Sequence, residues 1–164
     1  MLGGVPIGSG HPITIQSMTK TDTRDAVATI SQIQRLEKIG CEIVRVAVPD
    51  IEAADALAVI REHVSIPLVA DIHFNYRLAL RAIKNGVNGL RINPGNIGSR
   101  ANVEKVVSAA AAADVPIRIG VNSGSIEKEF LAGIRGTGKK LAETTARAMA
   151  QSALKHIRIL EELH

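Results

Sequence analysis

Five short runs rich in β-branched residues alternate with longer stretches of helical spacing, and this alternation restricts the fold more than any other feature of the chain. The runs begin near Ile13, Ile43, Pro67, Gly89 and Pro116. Helical stretches follow at about 25–39, 51–63, 76–85 and 100–113, with a last one at about 142–163, each read from apolar periodicity. Parallel neighbours need a long crossover, and a helix in that crossover covers the strands, so the pattern predicts βα units around a parallel sheet. The punctuation agrees. Asp50 and Ser99 stand where helix N-caps belong, and Gly40 and Gly86 where the first and third helices end. After the fifth run a glycine-rich connection, Gly120 to Gly124, leads through a helical-looking piece, Glu127 to Ala132, to the final helix.

Three of the runs carry an arginine at their centre: Arg45, Arg91 and Arg118. In a buried strand an unpaired guanidinium costs several kcal/mol, so each must meet an anion. Asp71 is the one acid at a comparable strand position, and one carboxylate does not neutralise three bases. The arginine fork matches phosphate geometry, so a phosphate-like ligand is expected. These arginines also separate two architectures. In a doubly wound sheet they would be driven into helix packing, whereas in a (β/α) barrel alternate strand residues face the lumen and those near the strand C-termini reach the mouth. The expected fold is therefore α/β of the TIM-barrel type. A full barrel takes about 250 residues, so five βα units within 164 residues are expected to form an incomplete barrel, the N-terminal part of a longer protein.

Composition narrows the function classes. The net charge is +4, yet the basic residues are scattered, and two Phe, one Tyr and no Trp leave little to stack on bases, which argues against nucleic acid. One cysteine, Cys41, excludes an intrachain disulfide and cannot alone hold zinc or an iron–sulfur cluster. It reads as a reduced structural thiol at the start of a strand. No stretch has the roughly 18 apolar residues of a membrane span and no export signal is evident, so a cytoplasmic location is expected.

Asp71 and His73 lie two apart, on one face of the third strand. An acid and an imidazole facing an anion site could accept a hydrogen bond, donate a proton or orient a substrate, and they form the candidate catalytic pair. His73 could equally well cap the next helix. The loops Asn93 to Ser99 and Gly120 to Ser125 are rich in glycine and amide side chains, so the main chain can approach phosphate oxygens closely. Such residues also dominate ordinary turns; it is the preceding arginines that favour the anion reading. Gly133 to Lys140 nearly spells a P-loop, but Lys140 stands where Ser or Thr would ligate magnesium and no strand precedes it. That stretch is expected to be a solvated basic loop. Lys20, Arg24 and Arg77 also fall near strand C-termini, without a telling spacing.

Gln16-Ser17-Met18-Thr19, Ile43 to Pro49, Pro67-Leu68-Val69-Ala70-Asp71-Ile72-His73-Phe74, Leu90 to Gly98 and Ile117 to Ser125 together resemble the 4-hydroxy-3-methylbut-2-enyl diphosphate synthases, the GcpE or IspG family. The resemblance runs from about Val5 to Ser125 and resumes in the final helix. It implies the reductive ring opening of 2-C-methyl-D-erythritol 2,4-cyclodiphosphate, a two-electron step with loss of water in the non-mevalonate route to isoprenoids. It also implies a diphosphate held by Arg45, Arg91, Asn93, Arg118, Asn122 and Ser123, with Asp71 beside the substrate as a hydroxyl acceptor or part of a proton path. In the family a 4Fe–4S cluster sits on three cysteines and a glutamate of a C-terminal domain, and later barrel strands add a lysine and a carboxylate. None of these lies within residues 1–164, so no metal ligand is expected in this chain, and the chain alone is expected to hold substrate without turning it over. Ferredoxin or flavodoxin as electron donor and a head-to-tail homodimer of the complete protein are further implications. Two other readings suit the same residues: a dihydropteroate-synthase-like barrel that uses the arginines for a pterin diphosphate, and a non-catalytic anion-binding fragment.

Overall fold

The computed structural model describes every residue except Ser9, Pro94, Gly95 and His164. Five strands, β1 (Gln16–Met18), β2 (Ile43–Ala47), β3 (Leu68–Ile72), β4 (Gly89–Ile92) and β5 (Ile117–Ile119), form one parallel sheet in the order β1-β2-β3-β4-β5. Helices α1 (Ala26–Lys38), α2 (Ile51–Glu62), α3 (Tyr76–Lys84) and α4 (Arg100–Ala112) fill the crossovers and pack each against the next. Sequential strand order with neighbouring helices is barrel topology; a doubly wound sheet would reverse its strand order. After β5 come a 3-10 turn (Ser123–Ser125), the short α5 (Lys128–Leu131) and the long α6 (Gly138–Glu162).

The main core lies between the sheet and its helices. Val44, Val46, Leu68, Ala70, Ile72, Leu90 and Ile92 turn toward Ile33, Leu57, Ile60, Leu78, Ala79 and Val106, all buried. Strand alternation sends Ile43, Arg45, Val69, Asp71, Gly89 and Arg91 to the opposite, lumen face. At the N-terminal end of that face Leu2 and Val5, joined by their own short bridge, close over Ile43 and Val69. This plug leaves the C-terminal half of the lumen to the charged residues.

A single hydrogen bond shows the curvature of the sheet. Arg118 on β5 donates to the Gln16 side chain on β1 at 2.6 Å. Four strand spacings in a flat sheet would separate these edges by roughly 19 Å, beyond the combined reach of the two side chains. The sheet is therefore rolled, with the lumen face concave.

Several sequence expectations need correction. The first strand begins at Gln16 rather than near Ile13, because β2 begins at Ile43, which pairs with Gln16. Ile13 therefore has no ladder partner and is 97% exposed. Asp50 caps α2 through Ala53 N–H at 2.9 Å, but Ser99 makes no side-chain cap bond to α4. Its carbonyl instead accepts from Asn102 and Val103. The final helix starts four residues earlier than expected. Gly138 to Lys140, the end of the P-loop-like stretch, form its first turn, held by Thr144, whose hydroxyl donates to the carbonyl of Arg135 at 3.2 Å.

Candidate functional site

Register assembles the site. Asp71 on β3 pairs directly with Arg91 on β4, which pairs with Arg118 on β5. Arg45 sits one layer lower on β2, opposite Val69, and Met18 on β1 sits beside it. Parallel strands in register present equivalent residues as a row across the sheet, so three residues from three separate segments form one polar line.

Asp71 is the hub of that line. Its side chain is 3% exposed. One carboxylate oxygen accepts from Arg91 Nη1 at 3.0 Å, the other lies 3.4 Å from Arg45 Nε, and His73 Nε2 approaches the first at 3.3 Å. Arg91 is 13% exposed and Arg45 29%. Asp71 thus pairs with two of the three arginines, more than the sequence reading allowed. Burying all three in strand interiors was also an overstatement: Arg118 is exposed, since β5 has a strand neighbour on one side only. Among the described residues no carboxylate is in ion-pair range of Arg118, so three guanidiniums face one carboxylate and two positive charges remain uncompensated within this group.

Two residues not among the sequence candidates, Met18 and Gln16, and one expected only as part of an anion-facing loop, Gly120, shape the arrangement. Met18 offers its sulfur to Arg45 Nε and Nη2 at 3.4 and 3.2 Å, which aims the guanidinium without neutralising it. Gln16 holds Arg118 across the lumen. Gly120 provides the seat for Arg91, which donates to its carbonyl at 3.3 Å; a Cβ on Gly120 would overlap the guanidinium. The signal for Gly120 was its place directly after a strand that follows an arginine strand, but which side chain lies over it is a matter of register alone.

The remaining candidates cluster at the same end. Asn93, directly after β4, is buried, and its carbonyl accepts from Asn96 N–H at 2.9 Å. Asn122 caps the 3-10 turn by accepting from Gly124 N–H at 3.0 Å, and Ser123 opens that turn; both are exposed. Pro94 and Gly95 of the β4 loop lie outside the described residues. A cleft of about 310 Å³ between the β2 and β3 ends is lined in part by Ala47, Pro49, Asp71, His73 and Phe74. His73 is half exposed and makes no helix cap. Asn75 takes that role instead, accepting from Arg77 N–H at 3.0 Å.

Other basic residues lie apart. Arg24 is held by Asp22 at 2.6 Å, and that carboxylate, with Asp50 farther off, pushes its pKa up. Arg77 lies over the Tyr76 ring, and Lys20 is exposed. Cys41 is buried beside the start of β2, its thiol toward the carbonyl of Ile43 at 3.1 Å. Among the described residues no three His, Cys, Asp or Glu side chains converge as a metal-holding group, and no helix is long and apolar enough to cross a membrane.

These features can be set against known proteins. Residues 1–164 match the GcpE TIM-barrel domain. The chain is 57% identical over 162 residues to "4-hydroxy-3-methylbut-2-en-1-yl diphosphate synthase (flavodoxin)" of Thermodesulfovibrio yellowstonii, and 56% identical to the proteins of that name from Geobacter sulfurreducens and Listeria monocytogenes. Each alignment covers 99% of this chain but only 44%, 44% and 42% of the relative, so the chain spans less than half their length. Among solved structures, a mandelate oxidase mutant is 16% identical and covers 93% of this chain and 57% of its own, with a TM-score of 0.47. On a match to the GcpE domain that spans the whole chain, and on relatives of one name at more than half identity, the chain belongs to the GcpE family.

Proposed function

We propose that this chain is the substrate-holding N-terminal part of the TIM-barrel domain of a 4-hydroxy-3-methylbut-2-enyl diphosphate synthase, and that its lumen binds the diphosphate of 2-C-methyl-D-erythritol 2,4-cyclodiphosphate. The observation that carries this reading is the excess of guanidinium over carboxylate at one end of the lumen. Asp71 pre-orients Arg45 and Arg91, so little side-chain entropy is lost when an anion arrives, and Arg118 need only exchange the neutral Gln16 amide for a phosphate oxygen. Charge-assisted, forked bonds are the strong ones for such a ligand. Asn93, Asn122 and Ser123 stand at the mouth as further donors, and Asp71 and His73 as groups that orient a hydroxyl or hold a proton beside it.

The residues of this chain do not fit an iron–sulfur cluster, since Cys41 is turned into the sheet and stands alone. We assign the cluster, its three cysteines and glutamate, and the remaining barrel strands to sequence outside residues 1–164, so the chemistry of this chain is binding and orientation without turnover. The relatives' printed names support flavodoxin as the electron donor of the complete enzyme; ferredoxin and a head-to-tail homodimer rest on the family resemblance alone.

Calorimetric titration with cyclodiphosphate, or with pyrophosphate as a surrogate, tests the reading. Arg118→Ala is expected to weaken binding by about 1.5 to 3 kcal/mol, the range for a hydrogen bond to a charged group. Its exposed position should leave stability within about 0.5 kcal/mol of wild type. Unchanged affinity would remove Arg118 from the site.

A further inference from the structure

One buried polar cluster lies away from the lumen. Glu127 stands between the 3-10 turn and α5, and Ser152 and His156 lie one turn apart on the buried face of α6, 1% and 3% exposed. His156 Nε2 is 2.5 Å from Glu127 Oε1. The two atoms are within ion-pair range, and a proton on Nε2 joins them once the ring turns into line with the carboxylate, since neither atom has a regular hydrogen bond in this arrangement. Ser152 is buried on the same face of α6, and its hydroxyl helps to hold the Glu127 pKa low. Among the described residues no hydrogen bond of regular geometry reaches the Glu127 oxygens, the Ser152 hydroxyl or the His156 nitrogens, so the members of the cluster have only one another to turn to. A buried carboxylate is costly unless donors lie close, and the imidazole at 2.5 Å is the donor packed against it, so the contact ties the segment carrying Glu127 to α6.

The attachment bears on the β5 loop. α5 has no buried residue of its own, and the segment that precedes it is fastened by the buried Ile126 and by Glu127. At its other end the loop is tied by Gly120 N–H to the Ile92 carbonyl at 2.8 Å. Asn122 and Ser123 lie between these two ties. We infer that Glu127, with Ser152 and His156, is a positioning device that clamps the β5 loop to α6 and so holds Asn122 and Ser123 at the lumen mouth. This rests on the reading of those two residues as substrate contacts.

The clamp has an acid-sensitive member. Burial pushes His156 below its ordinary value, partly offset by Glu127, so the imidazole is neutral near pH 7. The other charged groups facing it are Lys155 on α6 and Glu129 on α5, which pair with each other along the same seam. Protonating His156 places a second proton in a closed site where the remaining nitrogen has no acceptor, which favours release of the loop.

Amide hydrogen exchange and pyrophosphate calorimetry on the whole chain test this together. Glu127→Gln and His156→Ala are expected to speed exchange over residues 121–127 by about tenfold and to leave the β2 and β3 amides unchanged. Pyrophosphate affinity should fall about fivefold, which is roughly 1 kcal/mol. His156→Gln, which keeps an amide donor toward Glu127, should restore most of the affinity at neutral pH and decline less than wild type between pH 7 and 5, the shared part of the decline being the protonation of pyrophosphate itself. If Glu127→Gln does not fold, Ser152→Ala and the wild-type pH series carry the same comparison. Exchange within twofold of wild type in the folded variants overturns the clamp, and so does faster exchange with undiminished affinity. A wild-type chain that fails to bind pyrophosphate counts instead against the lumen reading, and exchange alone then decides the clamp.

Discussion

Replacing Gly120 by alanine is expected to dislodge Arg91 from Asp71. Gly120 needs no left-handed backbone, so its value lies entirely in the missing side chain. A Cβ there would meet Arg91 Nε, Cζ and Nη2 at separations well under the 3.0 Å that real Cβ atoms keep. Two escapes exist. The end of β5 can shift, at the expense of the 2.8 Å bond from Gly120 N–H to Ile92, or the guanidinium can swing away. Swinging away forfeits the 3.0 Å bond to Asp71 and the weaker 3.3 Å bond to the Gly120 carbonyl. The first is a buried charge-assisted bond worth about 1.5 to 3 kcal/mol and the second adds about 0.5 to 1 kcal/mol, so Gly120→Ala should cost roughly 2 to 4 kcal/mol. Urea denaturation measures it. Gly133→Ala is the control: its Cβ meets only the Phe130 carbonyl at 3.5 Å, so its effect should stay within about 1 kcal/mol, the scale of a glycine substitution made without strain. In an Arg91→Ala background the alanine at position 120 no longer meets the guanidinium, and its additional cost should drop below about 0.5 kcal/mol. A cost that persists undiminished in that background would refute the account of Gly120 as the arginine's seat.

Three further outcomes are expected. Asp71→Asn should destabilise the chain by about 3 kcal/mol, since two guanidiniums lose their buried counter-charge. The same change should weaken pyrophosphate binding in calorimetry, because the two guanidiniums are no longer held in place for the anion; tighter binding would mean that Asp71 competes more than it orients. Glu37→Gln should cost roughly 1 to 2 kcal/mol in urea, because one carboxylate oxygen accepts from Ser65 N–H, the Ser65 hydroxyl and Ile66 N–H at 2.8, 3.0 and 2.9 Å and an amide oxygen is a poorer acceptor. Acid stability should fall in two stages. Burial depresses His156 in the folded state, so its protonation penalty sets in as pH drops below its ordinary 6.5. Burial raises Glu37, but the N–H groups of Ile66 and Ser65 outweigh it and hold it low; Glu127 is held low likewise, against burial, by Ser152 and His156. Stabilisation by these two acids is complete above their ordinary 4.5 and is lost as pH falls through the lowered folded values. Urea midpoints from pH 8 to pH 3 resolve both stages. His156→Gln should flatten the upper and Glu37→Gln the lower.

Much of the fold could be read along the chain because its cause is local. β-branched runs and helical periods each report on a few neighbouring residues, and Asp50, Gly40 and Gly86 act within one turn of where they stand. The boundaries that moved depended on partners. Ile13 looks like strand but has no neighbour on β2, and Ser99 looks like a cap but leaves its carbonyl to do the bonding. Of the site, the arginines and Asp71 were visible as charges in apolar runs. Ser152 and His156 were missed because polar residues on a long helix read as a solvated face, although Ala148, Ser152 and His156 recur every fourth residue and are the buried stripe of α6.

The amino-acid order alone determined the repeating βα unit, the family, and the presence of three strand arginines against one strand acid, because periodicity and composition survive without any knowledge of contacts. Which arginines that acid reaches, that Arg118 crosses to Gln16, that Gly120 must stay bare and that Glu127 meets His156 were decided by tertiary structure. Each of these contacts joins residues 20 to 102 positions apart; strand register and the roll of the sheet bring the lumen residues within bonding distance, and the packing of α6 against the segment before α5 brings Glu127 to His156.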